Sequence, residues 1–250
     1  MANNFKIKEL HKHFGDQKII SIDELHQFYK NEEPDLPRST LRWRVHELIN
    51  QGVLHSVKRG VYTLEEGKRS WKPKLLPAVK EIHISLQEKY PYTKFCIWST
   101  QWLLDLTHHM PVKNFMLVDT ERETEESVFH YLQDTQNDYS VYLKPSRSEI
   151  DRYLGSDGNS IVVRSLLSQS PLMDIEGVQI PKLEKIMVDL IADDDLFTAY
   201  QGKELQTIFK NILDTYTINR STLHRYSQRR NKWDKVKSYL EDASNEAIDI

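Results

Sequence analysis

The stretch RSTLRWRVHELINQGVLHSVKRGVYTL, residues 38–64, joins a helical pattern to the pattern of a β-hairpin. At 100° per residue, its first half places four apolar side chains on one stripe that would face a core, namely Leu41, Val45, Leu48 and Ile49. The runs VLHSV and VYTL are β-rich and meet at KRG, whose glycine can adopt a positive φ. The stretch therefore predicts a helix over about residues 38–51, which Gly52 ends, followed by a hairpin.

Two shorter helices are predicted upstream, with a brief strand between them at residues 18–20. The first carries an apolar stripe that Gly15 ends, and the second begins with a capping box of Ser21 and Glu24. Pro37 suits the start of the third helix. Helix, strand, helix, helix and hairpin is the order of a winged helix-turn-helix, whose third helix enters the major groove of DNA.

Positive charge is concentrated in this part of the chain. The net charge of the 250 residues is −3, yet residues 38–74 hold nine basic and three acidic side chains. A local basic excess on an acidic protein is typical of nucleic-acid binding. We expect contacts with double-stranded DNA from the polar face of the third helix and from the hairpin tip, by Arg38, Ser39, Thr40, Arg42, Trp43, Arg44, His46, Lys58 and Arg59.

Two other interpretations of this surface stay open. The charged flanks of an amphipathic helix are usually just solvated, and Trp43 could pack against the hairpin. A winged helix can also serve as a protein-interaction module, with Trp43 in contact with the partner. Binding to DNA weakens steeply with salt, which separates it from binding to a protein through an apolar side chain.

The remainder of the chain predicts a second, larger domain. Residues 69–76 form a polar connector in which Pro73 disfavours a continuous helix. Beyond them strands and helices alternate, and from about residue 181 the pattern is helical. The predicted fold class is therefore α+β, or mixed α/β. A winged helix-turn-helix covers residues 1–68, and a C-terminal α/β domain covers residues 77–250, with its helical part at about 181–250.

Several motifs imitate active sites but lack a companion motif. Asp193–Asp195 could form a metal-binding carboxylate cluster, although a solvated loop is the simpler interpretation. Residues 155–160, GSDGNS, lack the lysine of a phosphate loop, and the adjacent His108 and His109 diverge on a helix. We therefore expect no enzyme activity, no metal and no cofactor. The alternative is a nucleic-acid-processing or nucleotidyltransferase-like enzyme that uses carboxylates of the α/β domain.

A second basic segment lies near the C-terminus. Residues 220–237 contain seven basic side chains against the single acid Asp234. The segment is either a solvated helical face or a second electropositive surface, for DNA beside the main site or for an acidic partner. The latter interpretation rests on Arg220, Arg225, Arg229, Arg230 and Lys232.

Targeting signals are not evident in the sequence. No apolar run approaches the roughly 20 residues that a membrane-spanning helix needs. The N-terminal residues lack the apolar core of a signal peptide. The single cysteine, Cys96, suits a reducing compartment and is expected to be a small buried strand residue. We expect a cytoplasmic protein that does not contact a membrane.

The chain resembles the AbiEi-type antitoxins of bacterial type IV toxin–antitoxin systems, also called abortive-infection antitoxins. Residues 39–64 are similar to the winged helix of that family, including its G-x-Y wing strand. IWSTQWLLDL at 97–106, followed by FMLVDTERETEESVFHYL at 115–132, carries the second part of the resemblance. The third part is the C-terminal run that begins with KLEKIMVDLIAD at 182–193 and ends with the helices up to residue 240.

The resemblance implies a DNA-binding autorepressor with a role in phage defence. Its N-terminal domain would bind inverted repeats in the promoter of its own operon. Its C-terminal domain would counteract a nucleotidyltransferase-like toxin, directly or indirectly. The family's DNA contacts carry over to Arg38, Ser39, Thr40, Arg42, Arg44, Lys58 and Arg59, whereas no C-terminal residue receives a role.

Overall fold

The computed structural model describes residues 5–15, 17, 19–50, 53–64, 69–108, 114–154 and 159–244. The chain divides into two compact units, residues 1–71 with 213–225 and residues 72–212 with 226–250. The division after Trp71 falls inside the connector assigned to residues 69–76. The predicted α+β class is confirmed, because both units combine helices with strands.

The first unit begins with three helices and a three-stranded antiparallel sheet of order β1-β3-β2. In chain order these elements are α1 Ile7–Phe14, β1 Ile20–Ser21, α2 Ile22–Lys30, α3 Arg38–Asn50, β2 His55–Lys58 and β3 Val61–Thr63. The predicted winged helix-turn-helix is confirmed, with β2 and β3 as the wing. Gly60, with φ of 75°, makes the wing turn as expected. Gly52 lies outside the described residues.

Local sequence signals account for much of this unit. Ser21 accepts a hydrogen bond from the backbone of Glu24, whose carboxylate accepts one from the backbone of Ser21, so the predicted capping box is present. The predicted apolar stripe of α3 faces the core, where Leu41, Val45 and Leu48 are buried. They pack with residues of the other helices and the wing, including Leu10, Phe14, Ile20, Leu25, Tyr29, Leu36, Leu54 and Leu64.

A segment from far along the chain completes the first unit. Residues 213–225 group with it, whereas the sequence analysis assigned them to the C-terminal domain. The backbone N–H of Arg69 donates to Thr215 over 2.8 Å, and the N–H of Thr217 donates to Arg69 over 3.1 Å. These bonds form a parallel bridge between Arg69 and Tyr216.

The second unit is built on a mixed sheet of order β4-β5-β7-β6. Strands β5, β7 and β6 are parallel and β4 is antiparallel to β5, while a separate hairpin pairs β8 with β9. The strands are β4 Phe95–Ser99, β5 Phe115–Thr120, β6 Ser140–Leu143, β7 Ser160–Ser165, β8 Leu172–Ile175 and β9 Val178–Pro181. The helices are α4 Pro77–Lys89, α5 Glu125–Thr135, α6 Arg147–Arg152 and α7 Leu183–Ala192.

The predicted helical C-terminal part contains α8 Lys203–Thr215, α9 Arg220–Arg229 and α10 Trp233–Ser244. Between β4 and β5, Thr100–Leu106 form a 3₁₀ helix, and Ser99 accepts a hydrogen bond from the N–H of Gln101 as its N-cap. Residues 109–113 and 155–158 lie outside the described residues, so His109 and most of GSDGNS have no structural account.

A buried charge network of three acids and three bases lies at the carboxyl ends of β5 and β7. Its members are Asp119, Arg164, Lys185, Asp189, Asp193 and Arg230. The Lys185 ammonium lies 2.5 Å from Asp119 and 2.6 Å from Asp189. Arg164 contacts all three carboxylates and lies 2.8 Å from Asp189. The Tyr226 hydroxyl also donates to Asp189 over 2.9 Å, so every charge has a partner of opposite sign.

The network also fixes protonation states. Burial would lower the pKa of Lys185, but Asp119 and Asp189 outweigh it and hold the pKa above its ordinary value. Burial would raise the pKa of Asp189, but the adjacent cations Lys185, Arg164 and Arg230 hold it well below its ordinary value. Lys185 and Asp189 therefore stay charged near neutral pH.

Removing one cation from the network should destabilise the second unit. We expect Lys185→Met to lower the free energy of unfolding by about 3–5 kcal/mol, because it leaves buried carboxylates undercompensated. Lys182→Met is the matched control, since Lys182 is exposed at the start of α7, and its effect should stay within about 0.5 kcal/mol. Urea denaturation measures both. Equal effects of the two substitutions would contradict the role of the network.

Lowering the pH should reduce the difference in the free energy of unfolding between the wild type and the Lys185→Met variant. A carboxyl whose folded pKa is depressed stabilises the fold above its unfolded pKa and loses that contribution as pH falls. Asp189 therefore favours folding of the wild type above about pH 4 and progressively less below it. Without Lys185 this loss is smaller, so the two unfolding free energies should converge on acidification. Urea titrations between pH 7 and pH 3 would test the convergence.

Candidate nucleic-acid interface

The outer face of α3 presents most of the residues that were expected to contact DNA. Arg38, Ser39, Arg42 and His46 are exposed, and Thr40 is half-buried. Trp43 keeps 55% of its surface exposed, and its ring lies 5.7 Å from the ring of Phe5, between centroids. This contact packs the indole against Phe5, which precedes α1, while more than half of the Trp43 surface stays open to solvent.

A groove runs along α3 between this helix, the start of α2 and the wing. Its volume is about 480 Å³. Arg38, Arg42 and His46 follow one another at intervals of four residues along one wall, and Arg59 lines the groove from the wing turn. At 1.5 Å per residue, the span from Arg38 to His46 along this wall is about 12 Å. The groove floor is apolar, with Ile22, Leu41, Val45, Ile49 and Tyr62.

One carboxylate contributes to the groove among its described lining residues. Asp23, in the first turn of α2, accepts a hydrogen bond from Nη2 of Arg38 over 3.0 Å. Both side chains are largely exposed, Asp23 to 72% and Arg38 to 66%. Asp23 was not predicted from the sequence, because a tertiary ion pair leaves no periodic signal.

Arg44 is not on the outer face, and the prediction that it flanks the DNA-facing surface is wrong. Its residue is 5% exposed, and its two terminal nitrogens donate to the carboxylate of Glu33 over 2.9 and 2.8 Å. Its guanidinium also lies 5.0 Å from the centroid of the Tyr29 ring. The hydrogen bonds from Arg44 lower the pKa of Glu33. A helical projection gives the angle of a residue but not the partner that covers it, which is why Arg44 was misplaced.

The wing carries the other predicted cations. Arg59 is exposed beside Gly60 at the turn. The backbone of Lys58 pairs with Val61, after an irregularity in register that begins at Ser56. The side chain of Lys58 lies outside the described residues. Arg59 is therefore the wing cation whose place in the groove the structure gives.

The second basic segment is divided between the two units. Arg220 and Arg225 belong to the first unit, and Arg229, Arg230 and Lys232 belong to the second. Arg229 donates to the hydroxyl of Ser168 over 2.9 Å. Arg230 lies 2.6 Å from Asp193 within the buried charge network. The prediction that Arg230 contributes to an open basic surface is therefore wrong.

Two of the three carboxylates that suggested an enzyme, Asp193 and Asp195, are engaged in ion pairs. Asp193 pairs with Arg164 and Arg230, and Asp195 lies 3.2 Å from Arg147. Within the part of the chain that the structure describes, no three His, Cys, Asp or Glu side chains are grouped to hold a metal ion. Cys96 is buried in β4 as expected, and burial raises the pKa of its thiol. Over the same described ranges, no helix is long and apolar enough to cross a membrane.

Arg44 and Arg42 should differ sharply in their effect on stability. We expect Arg44→Ala to lower the free energy of unfolding of the first unit by about 2 kcal/mol, since it removes a bidentate pair and a packed side chain. Arg42→Ala, on the exposed side of the same helix, should stay within about 0.5 kcal/mol. Urea denaturation followed by tryptophan fluorescence gives both values. Equal losses would contradict the assignment of Arg44 to the core.

Comparison with known proteins places the chain in a family whose function is unknown. No curated protein matches the chain. A family model described as "Family of unknown function (DUF6577)" matches residues 40–246, from the first turn of α3 through the wing and the whole buried charge network. The chain belongs to the DUF6577 family.

Proposed function

We propose that this protein binds double-stranded DNA through α3 and the wing and acts as the transcriptional autorepressor of its own operon. One observation carries the proposal. Arg38, Arg42 and His46 line one wall of a groove at successive turns of α3, and Arg59 lines the same groove from the wing. A polyanion is the ligand that suits a row of cations at these spacings, and the winged helix is a fold that docks on DNA in this way.

The two sides of α3 suit different contacts. The groove cations are placed for phosphates, which position a protein on the duplex without reading sequence. Ser39 and Trp43 are exposed outside the groove lining, where they suit the edges of bases. A hydroxyl can bond to base edges, and an apolar ring can contact the methyl group of thymine. Affinity would then come mainly from the groove and sequence preference from the outer face.

The antitoxin role rests on the resemblance to AbiEi-type antitoxins alone. In this proposal the second unit counteracts a nucleotidyltransferase-like toxin, directly or indirectly. The expected arrangement is a nucleotidyltransferase-like reading frame next to the gene. Expression of that frame should stop growth, and co-expression of the full chain should restore it. Failure to restore growth would remove the antitoxin role and leave the DNA-binding role standing.

The competing enzyme hypothesis has weaker support. It relied on Asp193–Asp195, of which Asp193 is neutralised by two arginines and Asp195 pairs with a third. A direct test is isothermal titration with a nucleotide and magnesium. Heat release that disappears when Asp193 to Asp195 are replaced would favour the enzyme over the repressor.

DNA binding should depend steeply on salt and on the groove cations. The probe is a duplex from the region upstream of the gene, with a random duplex of equal length for comparison. Arg42→Ala should weaken binding on the order of tenfold at low salt and reduce the slope of log affinity against log salt by about 0.9. The double variant Lys58→Ala, Arg59→Ala should weaken binding further. Fluorescence anisotropy between 50 and 200 mM salt measures these effects.

A matched control separates the groove from general charge. Arg152→Ala removes an exposed arginine from the second unit and should leave affinity within about twofold of the wild type. An affinity for the duplex that does not change with salt, with Arg42→Ala or with the wing double variant would contradict the DNA-binding proposal. Salt-insensitive binding of a protein partner that is lost in Trp43→Ala would favour the interaction module instead.

A further inference from the structure

Two arginines of α3 pair with acids that precede the helix, but the pairs differ in kind. Arg44 is buried and makes a bidentate pair with Glu33. Arg38 makes a single hydrogen bond to Asp23, and both side chains are mostly exposed. A buried bidentate pair is costly to break, whereas an exposed single contact exchanges readily with water or another anion. The second pair is therefore available for exchange.

The position of Asp23 favours a role at the groove. Asp23 lies in the first turn of α2, where the helix N-terminus stabilises a negative charge. The capping box of Ser21 and Glu24 fixes this end of the helix. Asp23 is thus held at the groove, where its carboxylate accepts a hydrogen bond from the guanidinium of Arg38. Arg38 lines the same groove.

A carboxylate and a phosphate bind a guanidinium through the same donors. Both accept charge-assisted hydrogen bonds from its planar N–H groups. A DNA phosphate at the groove would compete with Asp23 for the N–H groups of Arg38. We propose that Asp23 is an internal competitor for the DNA backbone, which holds Arg38 in the free protein and limits affinity for DNA of any sequence. This inference rests on the proposed function.

The test compares variants of the full chain on the random duplex. Asp23→Asn should tighten binding on the order of tenfold at low salt and steepen the salt dependence by about 0.9, since one more cation becomes available for phosphate. Asp35→Asn is the matched control, because Asp35 is an exposed acid between α2 and α3 outside the described groove lining. It should change affinity by less than about twofold.

A double-mutant cycle tests whether Asp23 acts through Arg38. In the Arg38→Ala background, Asp23→Asn should tighten binding by less than about twofold, because the competing pair no longer exists. An equal gain in both backgrounds would overturn the inference and show a general charge effect. If Asp23→Asn lowers the thermal midpoint through loss of charge at the helix N-terminus, Asp23→Ser serves as the second variant, because serine suits a helix start without a charge.

The failures of the two proposals are distinguishable. Wild-type binding that falls with salt and with Arg42→Ala, together with no gain from Asp23→Asn or Asp23→Ser, would overturn this inference and leave the proposed function in place. Wild-type affinity that ignores salt and Arg42→Ala would overturn both.

Discussion

The buried pair of Arg44 and Glu33 sets which face of α3 is open. Two hydrogen bonds and the Tyr29 ring hold the guanidinium against the segment that joins α2 to α3. Because α3 cannot rotate without breaking this contact, the positions four residues apart at Arg38, Arg42 and His46 must face the groove. The burial of Arg44 therefore orients the side chains of α3 that face the groove.

In both units, the balance of charge around a side chain shows whether it stabilises the fold or could bind an external ligand. In the second unit the buried acids Asp119 and Asp189 and the half-buried Asp193 meet three bases, and the local sum is zero. Such a network costs desolvation and is retained only when each member is satisfied, so it contributes to the integrity of the fold and offers little to an external ligand. The groove of the first unit is different. Its described lining residues combine three arginines and one histidine with the single carboxylate of Asp23, so positive charge is left over.

The sequence was informative where the signal was local. The capping box at Ser21, the glycine turn at Gly60 and the apolar stripe of α3 each depend on neighbouring residues, and the structure contains all three. Contacts between residues that meet only after folding could not be predicted from the sequence. The pairing of Arg44 with Glu33 depends on how α2 and α3 pack. Likewise, Asp119 meets Arg164 because β5 and β7 align in register, although 45 residues separate them in the chain.

A net charge of −3 does not weigh against DNA binding by this chain. At physiological ionic strength electrostatic interactions between exposed charges fade over about 8 Å, so a phosphate senses the side chains around it far more than the remaining chain. The relevant quantity is the charge within the groove, where Arg38, Arg42 and Arg59 contribute and Asp23 subtracts. For the same reason, Asp23 at the groove is expected to influence affinity more than several acids elsewhere on the surface. A protein built in this way can keep an acidic exterior and still present a local site that suits a polyanion.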